Sequence, residues 1–523
     1  MTKQASIRPY LSQAYLLGLL MMAVGLTLSP FLMGMAQFWL VIVWLADGIV
    51  GKDFNTKWSR FAHNKVAILL AAFYLLHVLG LLYTSDFQYA LKDLRVKLPI
   101  LILPFIMSSM PPLDRKRFDL LLNVYVLSAF VATWFSFAAY VKHDYEDVRE
   151  ISRFISHIRF CLHIVFCMAI VGWYLVTQKA PLWSKAIQIF LLLWFGYQIF
   201  IFESLSGYVI LAAVVIVSLV YAFLQWKTGK GWRIAFAVSA VSVLMVGAII
   251  LVRQIRPLIK VETVDFSTLD KKTTLGNDYW HDTVYNPVED GKYVGLYYCK
   301  QEMQQAWSQR SNLPFDGTTT NGENLEATLA RYLTSKDLRK DAEGVSALTD
   351  EDIRNIENGV ANYNNWQHPG LRARLSATLF EYNMYRRSGN PNGGSLSQRI
   401  EFTRASLHII KQHPWFGVGT GDVPQAFREA YDEIQSPLSE EFRFRAHNQY
   451  LAITVAFGLI GLVFFLVVLL YPWCSSKTRR SYLYTIFLCI MLLSMLPEDT
   501  LETQAGASMF AFFEALLLTT RHE

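Results

Sequence analysis

About twelve apolar runs, most of them long enough to cross a bilayer, decide what this chain can fold into. Hydrocarbon offers no partner for a backbone N–H or C=O, so a spanning segment must close its hydrogen bonds internally. A helix of roughly 17 to 25 apolar residues does that. The runs fall at 15–29, 31–50, 66–83, 98–110, 118–141, 155–176, 182–202, 205–226, 232–252, 447–471, 482–496 and 506–519. The fourth is short and contains Pro104, so the expectation there is a tilted or kinked span assisted by the turn at 91–97. No small-residue cleavage site follows the first, which reads as a retained helix. With 53% hydrophobic and 14% aromatic residues clustered in this way, an ordinary soluble domain is excluded. The expected fold is all-α and polytopic.

Orientation follows from the basic loops. One set carries Lys3 and Arg8; Lys52, Lys57, Arg60 and Lys65; Arg115, Lys116 and Arg117; Lys227 and Lys230; Lys477, Arg479 and Arg480. These belong in the cytoplasm. The alternate loops are mixed or acidic, with Glu203 in one and Glu498, Asp499 and Glu502 in another, so both termini lie inside and the long loop outside. The net charge of +6 comes largely from the basic loops and does not call for nucleic acid. Cys161, Cys167, Cys299, Cys474 and Cys489 are scattered, which implies neither a disulfide framework nor a structural metal.

The chain divides into a nine-helix membrane bundle over 1–252, a large polar loop domain over 253–446, and a three-helix bundle over 447–523. The first half of the loop reads as irregular with a possible strand, the second as mainly helical. Thr349-Asp350-Glu351-Asp352 fits a helix start, and 371–387 has helical apolar spacing. After Asn390-Pro391-Asn392-Gly393-Gly394, Ser395 and Gln398 fit a capping box for a helix over 396–412. Pro414-Trp415-Phe416-Gly417-Val418-Gly419-Thr420-Gly421 ends it.

Where the polar loop re-enters the membrane stands His447-Asn448, nine further residues, then Gly458-Leu459-Ile460-Gly461. Arg399 in the loop helix, the proline and glycine turn and this His-Asn-x9-Gly-x-x-Gly signature occur in an order that resembles the O-antigen ligase and polymerase superfamily of bacterial membrane glycosyltransferases. The resemblance in layout covers nearly the whole chain, but its sharp motifs lie in 395–461. It implies a GT-C-like helical enzyme of the bacterial inner membrane, acting in lipopolysaccharide or polysaccharide biosynthesis at the periplasmic face. Such an enzyme takes a glycan from a polyprenyl diphosphate, typically undecaprenyl diphosphate, and passes it to an acceptor hydroxyl, lipid A-core for a ligase. Polymerisation of repeat units and glycosylation of protein hydroxyls are the alternatives. Two positions depart from the family pattern: Ser206-Gly207-Tyr208 stands where Ser-Arg-Gly is common, and Thr403 where an aromatic is common.

The chemistry asks for groups that bind two phosphates, orient the anomeric carbon and accept a hydroxyl proton. No cofactor or metal is required beyond the lipid-linked donor. Histidine suits the proton step and guanidinium the diphosphate. His447 is therefore the expected catalytic residue, with Arg159, Arg399 and Lys97 as diphosphate ligands and Asn448, Gly458 and Gly461 as supporting motif. A cation inside a span costs about 2.5 to 3.5 kcal/mol at the helix centre, so Arg159 calls for a partner or a ligand.

Plainer readings stand beside these. His447 and Asn448 form a helix cap, Arg159 and Lys97 snorkel to headgroups, and Arg399 is solvated. The glycine turn lacks the ending of a nucleotide loop and reads as structural. Trp280, Trp307 and Trp366 are sugar-stacking rings or else interface and core residues. Glu498, Asp499 and Glu502 position an acceptor or a lysine, or form a solvated loop, which is the safer reading. A transporter also suits twelve spans, but its charges would sit near the midplane instead of one face.

Overall fold

A computed structural model describes residues 3–142, 148–225, 230–474 and 481–519. Trp226, Lys227, Lys477, Arg479 and Arg480, used above for spans and orientation, lie outside the described residues. Helices dominate, and among the described residues the strands are the two-residue pair Val288–Glu289 and Lys292–Tyr293. Eight described helices are long and apolar enough to cross a membrane. The protein is an all-α polytopic membrane protein. The runs at 98–110 and 232–252 lie on the helices Phe87–Ser109 and Lys230–Ile259, and those at 482–496 and 506–519 on the shorter Tyr482–Ser494 and Gln504–Thr519. A count of twelve spans rests on these four.

The contacts separate two compact units, and their bounds differ from a division at 253 and 446. One unit comprises 1–226, 401–436 and 443–523; the other comprises 227–400 and 437–442. The first keeps much of the C-terminal part of the polar loop because that part is hydrogen-bonded into the helical bundle, as described below.

Local chemistry sets the helix ends in the first unit. Ser29 accepts from the Leu32 N–H and Pro30 occupies the first helical position, so Lys3–Leu28 stops and Pro30–Gly51 starts within two residues, and the two helices pack along each other. Phe87–Ser109 is one continuous helix through both Pro99 and Pro104, begun by Asp86 accepting from the Tyr89 N–H. The weak fourth run is thus the second half of a longer helix whose first half carries Asp93 and Lys97 one turn apart. Gln504–Thr519 packs against it. Lys57 is buried and paired with Asp47 at 2.7 Å, on the short helix Phe54–His63.

The second unit has its own core around Trp307, Leu325, Leu329, Tyr332 and Ile356. Thr349 and Asp352 form the reciprocal cap of the Asp350–Glu357 helix, as expected. Leu371–Ser388 is a helix as well. Ser395 does not cap the next helix: Ser395–Gln412 begins at Ser395 itself, the Gln398 N–H bonds to the Gly394 carbonyl, and the Ser395 N–H is taken by Glu381. Gly393 takes a left-handed φ of 81°, and the chain enters the helix one residue earlier than the serine suggests.

Candidate functional site

The site begins with a broken helix. Gly458 interrupts Gln449–Cys474 with φ 66° and ψ −168°, a conformation that excludes a side chain. The break leaves carbonyls of the preceding turn without helical partners, and the glycine turn supplies them. Val418 N–H bonds to the Val455 carbonyl at 3.0 Å and Gly419 N–H to the Ala456 carbonyl at 2.9 Å. In return Leu459 N–H bonds to the Pro414 carbonyl at 2.8 Å. A Cβ on Gly458 would stand 2.1 Å from the Trp415 carbonyl carbon, and one on Gly417 would stand 2.4 Å from the backbone of Ala456. The proline and glycine turn and the Gly-x-x-Gly signature are therefore two halves of one backbone joint, which agrees with a structural reading of the turn.

The same turn clamps the chain between two other helices. Thr420 donates to the His77 carbonyl, Gly421 N–H bonds to Thr84, and Asp422 accepts from the Ser85 N–H, the Ser85 hydroxyl and the Asp86 N–H at 2.9 to 3.0 Å. Burial works against charge on Asp422, but those donors outweigh it and lower its pKa. Phe87–Ser109, which bears Lys97, is thereby fixed relative to the chain that bears His447.

Lys97 is buried. Its ammonium contacts Asp93 at 2.5 Å and Glu502 at 2.7 Å. Glu502 also takes Arg445 at 3.1 Å, and Arg445 reaches Asp499 at 3.2 Å and the Tyr89 hydroxyl at 3.1 Å. Gln449 closes the network, donating to Glu502 and accepting from the Leu501 N–H. Burial alone would neutralise Glu502, yet Lys97 and Arg445 hold its carboxyl well below the usual carboxylate range. Asp499 goes the other way: burial pushes it up, Arg445 opposes, and Glu502 and Glu498 add to the rise. For Arg445, burial opposes the charge and Glu502 and Asp499 overcome it, holding the guanidinium protonated.

His447 stands two residues from Arg445, in the left-handed region at φ 45°, uncommon for a residue with a side chain. Asn448 beside it caps the re-entering helix by accepting from Leu451 N–H at 3.0 Å. The imidazole stacks on Phe402, 5.3 Å between centroids, with its side chain 34% exposed. Its Nδ1 is shielded from solvent, makes no hydrogen bond among the described residues and lies 3.8 Å from Glu498 Oε2. The ligand atoms of His447, Glu498 and Asp499 lie within 4.8 Å of one another, a spacing a cation could use, although Arg445 already brings positive charge to Asp499.

The structure thus brings His447 together with Arg445, Glu498, Asp499 and Glu502, and joins Lys97 to them through Glu502. Burial of Asp499 and Glu502, at 6% and 9% side-chain exposure, overturns the solvated-loop reading of that segment; Glu502 holds a lysine. Arg445 escaped the sequence reading. Its signal was an arginine two residues before the motif histidine, opposite an acidic loop. Arg159 lies in the first turn of His157–Thr177, half-buried, with no hydrogen bond or ion pair among the described residues. Arg399 is half-buried on Ser395–Gln412 and falls in the other unit.

Fold and site define an all-α, multi-pass membrane protein with a histidine and carboxylate cluster beside a buried ion-pair network. Residues 370–466 match the model of the O-antigen ligase family. The matched stretch contains His447, Asn448, Gly458 and Gly461, and the apolar helices make this a multi-pass membrane protein. No curated protein shows significant similarity to the chain.

Proposed function

We propose that the protein is a glycan ligase of the bacterial inner membrane. It transfers a glycan from a polyprenyl diphosphate carrier to an acceptor hydroxyl, with lipid A-core as the acceptor, at the periplasmic face. The observation that carries this reading is His447: a motif histidine inside a matched O-antigen ligase segment, with one ring nitrogen shielded beside Glu498. A proton on Nδ1, drawn toward Glu498, leaves Nε2 as the basic nitrogen. The acceptor oxygen bonds to the anomeric carbon as its proton passes to Nε2, and the anomeric C–O bond breaks to release polyprenyl diphosphate.

Charge assigns the two halves of the task. Lys97 and Arg445 are already engaged, Lys97 by Asp93 and Glu502 and Arg445 by Asp499 and Glu502. Cations paired twice over have little charge left for a diphosphate. Diphosphate binding falls to Arg159, with Lys97 acting through Glu502 to hold Arg445. Support for Arg159 is a cation with no carboxylate partner among the described residues, near the end of a membrane helix. The reaction needs no cofactor.

Deletion in cells tests the reading. Loss of a ligase leaves carrier-linked polymer unattached; loss of a polymerase leaves single repeat units, and that result would overturn the ligase assignment in favour of polymerisation.

A further inference from the structure

Among the loop-domain tryptophans, Trp307 is fully buried in the core of the second unit, while Trp280 is 59% exposed. Trp280 does not sit on a loose loop. Its N–H bonds to the Tyr298 carbonyl at 2.8 Å and the Tyr298 N–H returns to the Trp280 carbonyl at 3.0 Å. These two residues form a hydrogen-bonded antiparallel pair, which places both rings on one face. The rings meet edge to face, 6.0 Å between centroids. Tyr298 is tied on its other side to the segment at Lys340, where Cys299 N–H bonds to the Lys340 carbonyl at 2.7 Å. The indole is thus a preorganised plane with an open face.

Around it the polar groups are already matched. The Tyr298 hydroxyl donates to Glu326 at 2.5 Å, Lys300 pairs with Glu326 at 2.7 Å and with Asp316 at 3.0 Å, and Lys272 pairs with Asp278 at 2.8 Å. Each lysine is neutralised by a carboxylate, so the face lacks the surplus positive charge that an anionic lipid surface draws. What it offers is a flat apolar ring bordered by fixed hydroxyl and carboxylate acceptors. A sugar ring has the matching chemistry, C–H groups on one face and hydroxyl donors on its rim.

We infer that Trp280 is a stacking platform for a glycan chain, a sugar subsite carried by the second unit. This rests on the glycan-transfer function proposed above. Binding energy collected there lowers the donor concentration needed for transfer and leaves the proton step at His447 untouched.

Full-length protein reconstituted in lipid would be given polyprenyl diphosphate donors carrying either one repeat unit or a long chain. For Trp280→Ala, the expected result is a KM for the long-chain donor raised roughly tenfold with unchanged kcat, an unaltered KM for the one-unit donor, and substantial rescue by Trp280→Phe. Equal KM values for wild type and Trp280→Ala on the long chain would overturn the inference. So would quenching, in brominated phosphatidylcholine vesicles, of the fluorescence difference between wild type and Trp280→Phe, since that places the ring in the bilayer. If wild type transfers neither donor, the enzymatic reading fails first and this one with it.

Discussion

Nδ1 of His447 lies 3.8 Å from Oε2 of Glu498, out of contact with solvent and without a hydrogen bond among the described residues. Contacts at a general base are often long before substrate arrives and tighten in the reacting complex. His447→Ala is expected to lower kcat by about 10²- to 10⁴-fold. Glu498→Gln keeps the shape but loses the charge that orients the imidazolium, and its rate should fall between those of wild type and His447→Ala. Steady-state transfer at matched amounts of folded protein checks both.

Lys97 lies between two carboxylates and has almost no exposure, so its removal leaves like charges buried together. Lys97→Met is expected to cost about 3 to 5 kcal/mol of stability, the usual cost of breaking a buried pair from one side. Adding Asp93→Leu should recover part of that loss, because one orphaned charge goes with it. Thermal unfolding in detergent gives the comparison.

Gly458 sets the joint between the re-entering helix and the glycine turn. Gly458→Ala combines a left-handed φ with a Cβ 2.1 Å from the Trp415 backbone, so the expected outcome is a large loss of monodisperse protein on size exclusion. Gly172→Ala, inside His157–Thr177 with nothing within 4 Å of the added carbon, should leave the yield unchanged or raise it.

The loop domain carries two titrating groups of opposite sense. Burial, reinforced by Lys292, lowers Lys340 from 10.5 to about 8. Between those values the unfolded chain still holds a proton that the folded one has released, so stability rises with pH over that window. Burial opposes charge on Asp352, but hydrogen bonds from Lys336, Tyr332 and Thr349 lower it from 3.8 to about 2, and its contribution is lost as pH falls through that range. Hydrogen exchange of peptides from 296–357 in the full chain, corrected for intrinsic rates, should follow both trends. Lys340→Met should abolish the alkaline rise.

Arg445 supplies the positive charge beside Asp499, so transfer is expected to persist in excess EDTA. Loss of activity with EDTA, restored by Mg²⁺, would instead assign a cation to His447, Glu498 and Asp499.

The membrane helices were legible because hydrocarbon demands contiguous apolar residues, and the cap at Thr349 because its partners lie three residues apart. The network around His447 was not, because its bonds span the chain: Lys97 and Glu502 are 405 residues apart, Arg445 and Glu502 are 57. Glu498, Asp499 and Glu502 read as a solvated loop since nothing local distinguishes a buried acidic segment from an exposed one. The glycine turn and the Gly-x-x-Gly signature were each visible, but their union depends on a φ value that sequence does not display. Ser395 illustrates the limit of local rules: the cap residues were present, and the helix starts one residue earlier, after the left-handed Gly393.

Glycan transfer by purified protein in lipid, with a polyprenyl diphosphate donor and lipid A-core acceptor, tests the central claim most directly. Wild type should transfer and His447→Ala, equally well folded, should not. Full transfer by His447→Ala would contradict the account.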